Sequence, residues 1–272
     1  MPLTDIRTYP TFVVNLDRRP DRWKNFSAQP TVVEFPQLKR FSAVDGSKLD
    51  VLNDKRISPF TRQNIMRKYR RSDYEINTPG AIGATLSHST IWREFLKGSA
   101  EYVVVFEDDT MIRPKDLVLI QKLIPTLPSN WDMWLLGTHT WNCVSLPLTS
   151  DWDSWHKVKQ FTGAHAYILN RRGAELLLEE IFPIDTHIEY YISSMANLKG
   201  LKLIKHPSLC MTYFSAIDEE VDSDTFDSFM SCPVCMIPDT FMNTGLYIPG
   251  DVLTRGLIAQ QQLLLLLVLD IS

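Results

Sequence analysis

The sequence predicts an α/β fold in which a mainly parallel sheet is flanked by helices. Short apolar runs alternate with longer segments that have apolar residues at helical spacing, as β-α units do. Residues 102–106 are all apolar or aromatic, which is typical of a strand buried on both faces. The 272 residues are 44% hydrophobic and 22% charged, a composition that supports a substantial core.

The amino-terminal part predicts a β-α opening and a second strand. Residues 11–16 form the first strand, and the helix after it has Pro20 in its first turn, where the fixed φ of proline is suitable. The second strand, residues 40–44, ends at the turn-forming pair Asp45-Gly46. Residues 49–77 are polar and basic, which favours a partly mobile surface excursion.

The alternation continues with a helix over residues 79–97, for which Gly98 is the expected stop. Strands are predicted at 102–106, 133–137, 164–169 and 201–204, and helices at 171–181 and 187–198. Asp185 lies where an N-cap is expected. In the tryptophan-rich stretch 141–155 the apolar residues have neither helical nor strand spacing. We therefore expect one large domain over residues 1–217.

Residues 218–272 are expected to form a C-terminal extension of unknown role, because they begin with an acidic, serine-rich stretch typical of a linker. The apolar run at residues 263–269 is far shorter than the roughly 20 residues that span a bilayer. No transmembrane segment is predicted, and a buried helix, a partner contact or a peripheral membrane contact stays open for this run.

Charge and cysteine content narrow the class of protein. A net charge of −4 argues against a general nucleic-acid binder, whose footprint would be basic. The first ten residues lack the charged start and apolar core of a secretory signal, so a cytoplasmic location is the default expectation. The four cysteines are too scattered for a disulfide framework, and Cys232 with Cys235 has the spacing of only half a zinc site.

Three adjacent carboxylates, Glu107-Asp108-Asp109, follow the apolar strand at residues 102–106. The carboxyl ends of strands are where open α/β sheets place their ligands. Adjacent acids repel one another unless a cation compensates them, and Mg²⁺ and Mn²⁺ prefer carboxylate oxygens. A metal site is therefore one interpretation of this tripeptide, and a solvated acidic turn is the other.

Four segments in order resemble glycosyltransferase family 25, which includes bacterial lipooligosaccharide galactosyltransferases and procollagen galactosyltransferases. They are Val14-Asn15-Leu16-Asp17-Arg18-Arg19-Pro20-Asp21-Arg22, Ala43-Val44-Asp45-Gly46, Gly80-Ala81-Ile82-Gly83-Ala84-Thr85-Leu86-Ser87-His88 and Phe106-Glu107-Asp108-Asp109. The resemblance covers roughly the first 215 residues. Ala84 stands where many members of the family carry cysteine, a change expected to affect packing more than chemistry.

This resemblance implies a GT-A type, Rossmann-like fold and the transfer of a sugar, commonly galactose from UDP-galactose, with a divalent metal that is usually Mn²⁺. A bound metal would neutralise the charge that develops on the departing nucleotide diphosphate. Glu107 and Asp109 are then the candidate metal ligands. Asp108 is the candidate contact to the ribose hydroxyls or to a water on the metal, duties that Glu107 could share.

Four polar side chains near the first two strands are candidate nucleotide contacts. Asn15 could read a uracil or ribose edge, and Arg18 and Arg22 could bind the diphosphate. Both arginines could instead decorate an exposed helix. Asp45 is a candidate for ribose or base contact, with a plain turn as its alternative.

The helix that begins near residue 79 supplies further candidates. Gly83 permits close approach of backbone or ligand near the helix start, and Ser87 and His88 follow one turn later. Packing and a structural histidine are the alternatives. Asp185 is the candidate general base that deprotonates an acceptor hydroxyl, with an N-cap as its alternative and Glu189 as its substitute.

The sequence therefore predicts a metal-dependent glycosyltransferase that moves a hexose from a UDP-sugar to a glycan or protein hydroxyl. One alternative is a catalytically inactive family member that acts as a binding or adhesion protein. Another is a metal-dependent phosphodiesterase, which would need more converging ligands than the scattered histidines provide. Residues 49–77 and 141–155 are the candidate loops for the acceptor.

Overall fold

The computed structural model describes residues 2–68, 70, 72, 74–139 and 143–214. Its strands are β1 Thr11–Asn15, β2 Leu38–Ser42, β3 Tyr102–Glu107, β4 Met133–Gly137, β5 Val144–Pro147, β6 His156–Gln160, β7 Ala166–Asn170 and β8 Leu203–Lys205. Its α-helices are α1 Pro20–Ser27, α2 Pro59–Arg67, α3 Pro79–Lys97, α4 Pro114–Leu123, α5 Arg171–Glu179 and α6 Ile188–Leu198. The boundary predicted near residue 217, the Cys232/Cys235 pair and the apolar run at 263–269 lie outside the described residues.

The eight described strands form one sheet in the order β2-β1-β3-β7-β4-β8-β6-β5. Strand β1 is parallel to β2 and β3, and β4 is parallel to β8. Strand β7 lies antiparallel between β3 and β4, and β6 lies antiparallel between β8 and β5. The α/β class is confirmed, but the prediction of a mainly parallel sheet is wrong. A strand buried on both faces has the same apolar pattern in either direction.

Alternate residues of the central strands build a core on each face of the sheet. On β3, Val104 and Phe106 belong to one cluster, together with Val13 of β1, Ile168 of β7 and residues of α4. Val103 and Val105 belong to the other, which includes Leu169 of β7 and buried residues of α3, α5 and α6. The period of two in strands therefore places two cores on one sheet.

Helix boundaries agree well with the sequence near the site. Helix α1 begins at Pro20, and α3 spans Pro79–Lys97 with Gly98 as its C-cap, as predicted. Helix α6 begins one residue later than predicted, and its N-cap is His187 rather than Asp185. Helix α4 and the hairpin of β5 with β6 were not predicted. No helix in the described part of the chain is long and apolar enough to cross a membrane.

Residues 49–77 are more than a surface excursion, so that interpretation is corrected. They contain α2, and a third apolar cluster joins them to α3 and to Ile184. Ile57 and Ile76 are fully buried, and Ile57 forms a β-bridge with Ile184. The polar composition conceals this packing, because a few well-spaced apolar residues are enough to dock the segment.

Candidate active site

One edge of the sheet gathers the residues that the sequence singled out. Strands β1 and β3 are parallel, with Val14 opposite Glu107, so both carboxyl ends lie at this edge. Strand β7 runs the other way and begins here, because Phe106 lies opposite Ala166. The carbonyl of His165 accepts the backbone N–H of Glu107 at 2.8 Å. The acidic tripeptide therefore leaves the sheet between β1 and β7.

Asp108 turns inward from this edge. The Asn15 amide donates to it at 2.6 Å, and the Arg22 Nε lies 3.1 Å from its other oxygen. Asn15 also donates to the Arg19 carbonyl at 3.0 Å and accepts from Arg40 at 2.7 Å. Both amide hydrogens of Asn15 are used within the protein. In the described structure Asn15 therefore holds Asp108 and does not present its amide to a nucleotide.

Asp109 carries the feature that best fits a cation. Its Oδ2 is paired with the Arg22 guanidinium. Its Oδ1 is buried and finds no hydrogen-bond partner among the described residues. Burial and the charge of Glu107 raise the pKa of Asp109, against the opposing effects of Arg22 and His165. Buried oxygens are normally satisfied, so an unsatisfied carboxylate oxygen at this edge is suited to a metal or a donor group.

Burial raises the pKa of Asp108 to about 6, although Arg22 and Asn15 favour its charged form. Arg22 thus lies between two carboxylates that burial makes costly to ionise. Its own side chain is 15% exposed. Because a guanidinium can bond two oxygens at once, Arg22 supplies the cation that this pair requires in the described structure.

Glu107 is set apart from the two aspartates by His88. The His88 Nε2 lies 3.7 Å from the Glu107 Oε1, and the His88 Nδ1 lies 2.8 Å from the hydroxyl of Tyr167. Burial would raise the pKa of Glu107, but the contact with His88 and the charges of His165 and Arg22 lower it. The Glu107 side chain is 35% exposed, so it faces the open side of the site.

These carboxylates fit a metal that is completed by its ligand. The described residues contain no group of three or more histidine, cysteine, aspartate or glutamate side chains that could hold a metal ion by themselves. Mg²⁺ is usually held in proteins by one or two carboxylates together with substrate phosphates and water. Glu107 and Asp109, with the unsatisfied Oδ1 of Asp109, match that donor set.

The two candidates for a general base lie in different places. Glu189 of α6 lies within electrostatic range of Glu107 and His88. Burial raises the pKa of Glu189. Asp185 instead lines a cavity of about 480 Å³ between α3, α6 and the segment before α6, with Thr85 and Lys199 among the other lining residues. Glu189 is thus linked electrostatically to the acidic motif, whereas Asp185 is part of the lining of this cavity.

Comparison with known proteins agrees with this arrangement. Residues 8–147 match the family described as "Glycosyltransferase family 25 (LPS biosynthesis protein)". The chain belongs to glycosyltransferase family 25. The matched region contains β1, β2, α3 and β3, and therefore the acidic motif and its partners Asn15, Arg22 and His88.

Individual relatives of this family 25 chain carry two kinds of name. Inactive glycosyltransferase 25 family member 3 of Mus musculus is 31% identical over 135 residues, 46% of this chain and 21% of the relative. Probable inactive glycosyltransferase 25 family member 3 of Bos taurus is 25% identical over 182 residues, 64% of this chain and 30% of the relative. Procollagen galactosyltransferase 2 of Homo sapiens is 28% identical over 132 residues, 46% of this chain and 20% of the relative. Each match spans less than a third of the relative.

Two family motifs of this chain are explained by packing of the loop after β2 against α3. A Cβ on Gly83 would collide with the Val44 carbonyl and lie 2.9 Å from the Gly46 nitrogen. The Ser87 hydroxyl accepts from the Val44 N–H at 2.9 Å and donates to the Gly83 carbonyl at 2.7 Å. Ser87 is fully buried. Gly83 and Ser87 therefore allow the loop after β2 to pack closely against α3, and both described hydrogen bonds of the Ser87 hydroxyl go to backbone groups.

Asp45 and Arg18 meet at the rim of this family 25 site. Asp45 caps a short 3-10 helix by accepting from the Ser47 N–H at 3.1 Å and the Ser47 hydroxyl at 2.7 Å. The Arg18 Nε lies 3.4 Å from the other Asp45 oxygen. Hydrogen bonds from Ser47 lower the pKa of Asp45, with Arg18 contributing. Arg18 is 46% exposed, and its guanidinium is accessible to an anion from solvent.

Sequence reasoning missed several residues that the structure places at this site. Tyr167 and Trp92 contact His88 from below, and both are fully buried. The rings of His139, His165 and Tyr213 cluster with centroids 5.2–6.2 Å apart. No spacing rule links these residues, because separate loops bring them together.

Proposed function

We propose that this family 25 chain is a metal-dependent glycosyltransferase of GT-A type that moves galactose or glucose from a UDP-sugar to a hydroxyl of a glycan or a protein. The observation that carries the proposal is the buried, unsatisfied Oδ1 of Asp109 near the partly exposed Glu107 at the strand ends. Family membership supports glycosyl transfer, and the named human galactosyltransferase among the relatives supports galactose as a donor sugar.

Donor binding uses the charges at the sheet edge. Glu107 and Asp109 would hold a divalent ion, Mn²⁺ or Mg²⁺, together with the diphosphate. When bound, the ion supplies Lewis-acid stabilisation of the departing nucleotide diphosphate. Arg22 and Arg18 supply positive charge at the same edge, where they bind and orient phosphate oxygens. Asn15 keeps Asp108 and Arg22 in position for this work.

Glu189 is the general base of the proposal in place of Asp185. A general base works best when its pKa lies near the operating pH, and burial moves the pKa of Glu189 upward in that direction. The nearby charge of Glu107 also raises it. In its ionised form the Glu189 carboxylate takes the proton of the acceptor hydroxyl as the hydroxyl oxygen attacks the sugar.

The test is UDP release from a panel of UDP-sugars with and without Mn²⁺. Metal-dependent release from one donor is expected, and Asp109→Asn should lower it by about 100-fold or more, because a ligand to the cation is lost. Glu94→Gln is the matched control, since Glu94 is exposed and pairs with Lys97 at 2.6 Å outside the site. Equal rates for wild type and Asp109→Asn would sink the proposal.

A catalytically inactive binding protein is the second candidate. Two of the relatives described above are named inactive or probably inactive, and Arg22 already pairs with Asp109 in the described structure. Calorimetry with each UDP-sugar separates the two candidates. Metal-dependent binding without UDP release, in the presence of glycan and protein hydroxyl acceptors, supports the binding protein. Release that depends on Asp109 supports the enzyme.

A further inference from the structure

Two buried side chains outside the acidic motif control the imidazole of His88. We propose that Tyr167 and Trp92 are positioning residues that fix the proton of the neutral His88 ring on Nε2, so that this N–H faces the Glu107 carboxylate. The functional consequence rests on the proposed glycosyltransferase activity. The proton position itself does not, and it can be measured separately.

The geometry is two consecutive hydrogen bonds through the core, which end at a longer contact with Glu107. The indole Nε1 of Trp92 lies 2.9 Å from the Tyr167 hydroxyl oxygen. The same oxygen lies 2.8 Å from the His88 Nδ1. The His88 Nε2 lies 3.7 Å from the Glu107 Oε1. Trp92 and Tyr167 are fully buried and His88 is 1% exposed, so bulk solvent does not reach these three side chains.

The number of hydrogens on each group decides which group donates in the hydrogen bonds that link Trp92, Tyr167 and His88. An indole N–H can only donate, so Tyr167 accepts from Trp92. The Tyr167 hydroxyl has one hydrogen of its own, and the His88 Nδ1 is the ring nitrogen beside it. When the Nδ1 accepts that hydrogen, the neutral imidazole must carry its proton on Nε2. The proton then points toward a carboxylate that attracts it.

The opposite tautomer of His88, protonated on Nδ1, would create two unfavourable contacts in a buried region. The Tyr167 hydroxyl would accept from both Trp92 and His88, and its own hydrogen would have no partner along this chain. The bare Nε2 lone pair of His88 would also face the Glu107 carboxylate. Buried polar groups without partners are costly, so the chain selects the Nε2–H form.

This selection matters because His88 orients Glu107. The Nε2 side of His88 faces the Oε1 of Glu107 at 3.7 Å, while about a third of the Glu107 side chain stays exposed. A carboxylate fixed in this way can meet the donor complex without first being ordered. Tyr167 and Trp92 thus act through His88 and do not touch the ligand themselves.

The decisive measurement is the tautomer of His88 by long-range ¹H–¹⁵N NMR at pH 8 on protein labelled at histidine. The chain has six histidines, and the spectrum of His88→Gln identifies the His88 signals. The wild type is expected to show His88 protonated on Nε2 alone. His165 is an internal reference, because its Nε2 donates to the Met211 carbonyl at 2.8 Å.

Tyr167→Phe is the test variant, since it keeps the ring and removes only the hydroxyl. We expect His88 to lose its single Nε2–H tautomer while His165 keeps its own. Tyr191→Phe is the matched control, because its hydroxyl donates to the Leu177 carbonyl at 2.8 Å, away from His88. That variant should leave His88 unchanged.

The outcomes separate this inference from the proposed activity. A wild-type His88 protonated on Nδ1, alone or as an imidazolium, overturns the inference even if Tyr167→Phe fails to fold. An unchanged His88 tautomer in folded Tyr167→Phe also overturns it. If UDP release is found, Tyr167→Phe should lower it at least about 10-fold, as loss of an outer partner of a ligand does. Absence of any UDP release would count against the proposed activity only.

Discussion

The three adjacent carboxylates at the end of β3 differ in pKa and in hydrogen-bond partners. Burial would raise the pKa of Glu107, but the contact with His88 and the charges of His165 and Arg22 lower it. Burial raises the pKa of Asp108 and of Asp109. Asp108 faces inward to Asn15, whereas Asp109 keeps one buried oxygen unsatisfied. The environment of each carboxylate therefore assigns it a different task, although the sequence presents three similar acids.

Replacement of Arg22 by glutamine should destabilise the protein without added metal. Arg22 pairs with both Asp108 and Asp109, and removal of one partner leaves buried like charges uncompensated. We expect a loss of about 3 kcal/mol in the free energy of unfolding, measured by urea denaturation at neutral pH. Arg22→Lys should recover only part of it, because an ammonium cannot bridge both carboxylates as a guanidinium does.

The control for Arg22 is Arg56→Gln, which removes an ion pair between Asp54 and an arginine that is 50% exposed. That change should alter the free energy of unfolding by no more than about 0.5 kcal/mol. An equal effect of the two substitutions would show that Arg22 does not neutralise the acidic motif.

At this scale the sequence could identify the acids but not their partners. The tripeptide after an apolar strand is visible in the chain, and so is its place at a strand end. The contact of His88 with Tyr167 joins residues 79 positions apart, and that of Asn15 with Asp108 joins residues 93 apart. Such contacts depend on strand order, which no local pattern encodes.

At the scale of elements, helices were predicted more successfully than strand directions. Helix α3 has a clear apolar period and a glycine stop, and its bounds match the prediction. The apolar run of β7 predicted a strand correctly. It did not predict that the strand is antiparallel to its neighbours, because a strand buried on both faces has the same pattern in either direction. Helix α6 begins at Ile188 with His187 rather than Asp185 as its N-cap, and the backbone N–H of His187 donates to the carbonyl of Tyr74, in the segment after α2. Tertiary contacts decided this helix start.

The join between α6 and that segment should depend on pH through His187. The backbone N–H of His187 donates to the Tyr74 carbonyl at 3.2 Å. Burial, with the charge of Arg70, lowers the pKa of His187 to about 4. The unfolded chain binds this proton near pH 6.5, so protonation favours unfolding as the pH falls from about 6.5 to 4. His187 should therefore cost up to about 3 kcal/mol of stability at the lower end of this range.

His187→Gln should flatten the dependence of unfolding free energy on pH between 6.5 and 4, measured by urea denaturation at several pH values. Thr186→Val is the control, because it removes a hydrogen bond of 2.6 Å to the same Tyr74 carbonyl without changing a titrating group. The control should lower stability by a similar amount at every pH. A wild-type slope that His187→Gln leaves unchanged would contradict the assignment.

At the scale of the molecule, as far as residue 214, one sheet joins two large cores, and a third apolar cluster lies beside them. Ile168 and Leu169 are neighbours on β7 but belong to opposite cores, and both are fully buried. Ile57 belongs to the third cluster, which ties residues 49–77 to α3 and the segment before α6. Residues of β3, β7 and β4 belong to both large cores, so loss of these strands when one core unfolds also exposes the other core. The third cluster shares no central strand.

Unfolding of the two large cores should therefore be a single event, whereas the third cluster should open by itself. Ile168→Ala and Leu169→Ala should each lower the global free energy of unfolding by about 2–5 kcal/mol, through lost burial and a new cavity. In hydrogen exchange, each should speed the slowest amides of β3, β7 and β4 together. Ile57→Ala should mainly speed exchange in α2 and around its bridge to Ile184, and leave those central strands protected. Two results would contradict this prediction. In one, the amides of β3 and those of β4 would lose protection from exchange separately. In the other, Ile57→Ala would speed the exchange of amides in the central strands. The shared strands predict joint loss, since the hydrogen bonds that hold β7 between β3 and β4 serve both faces at once.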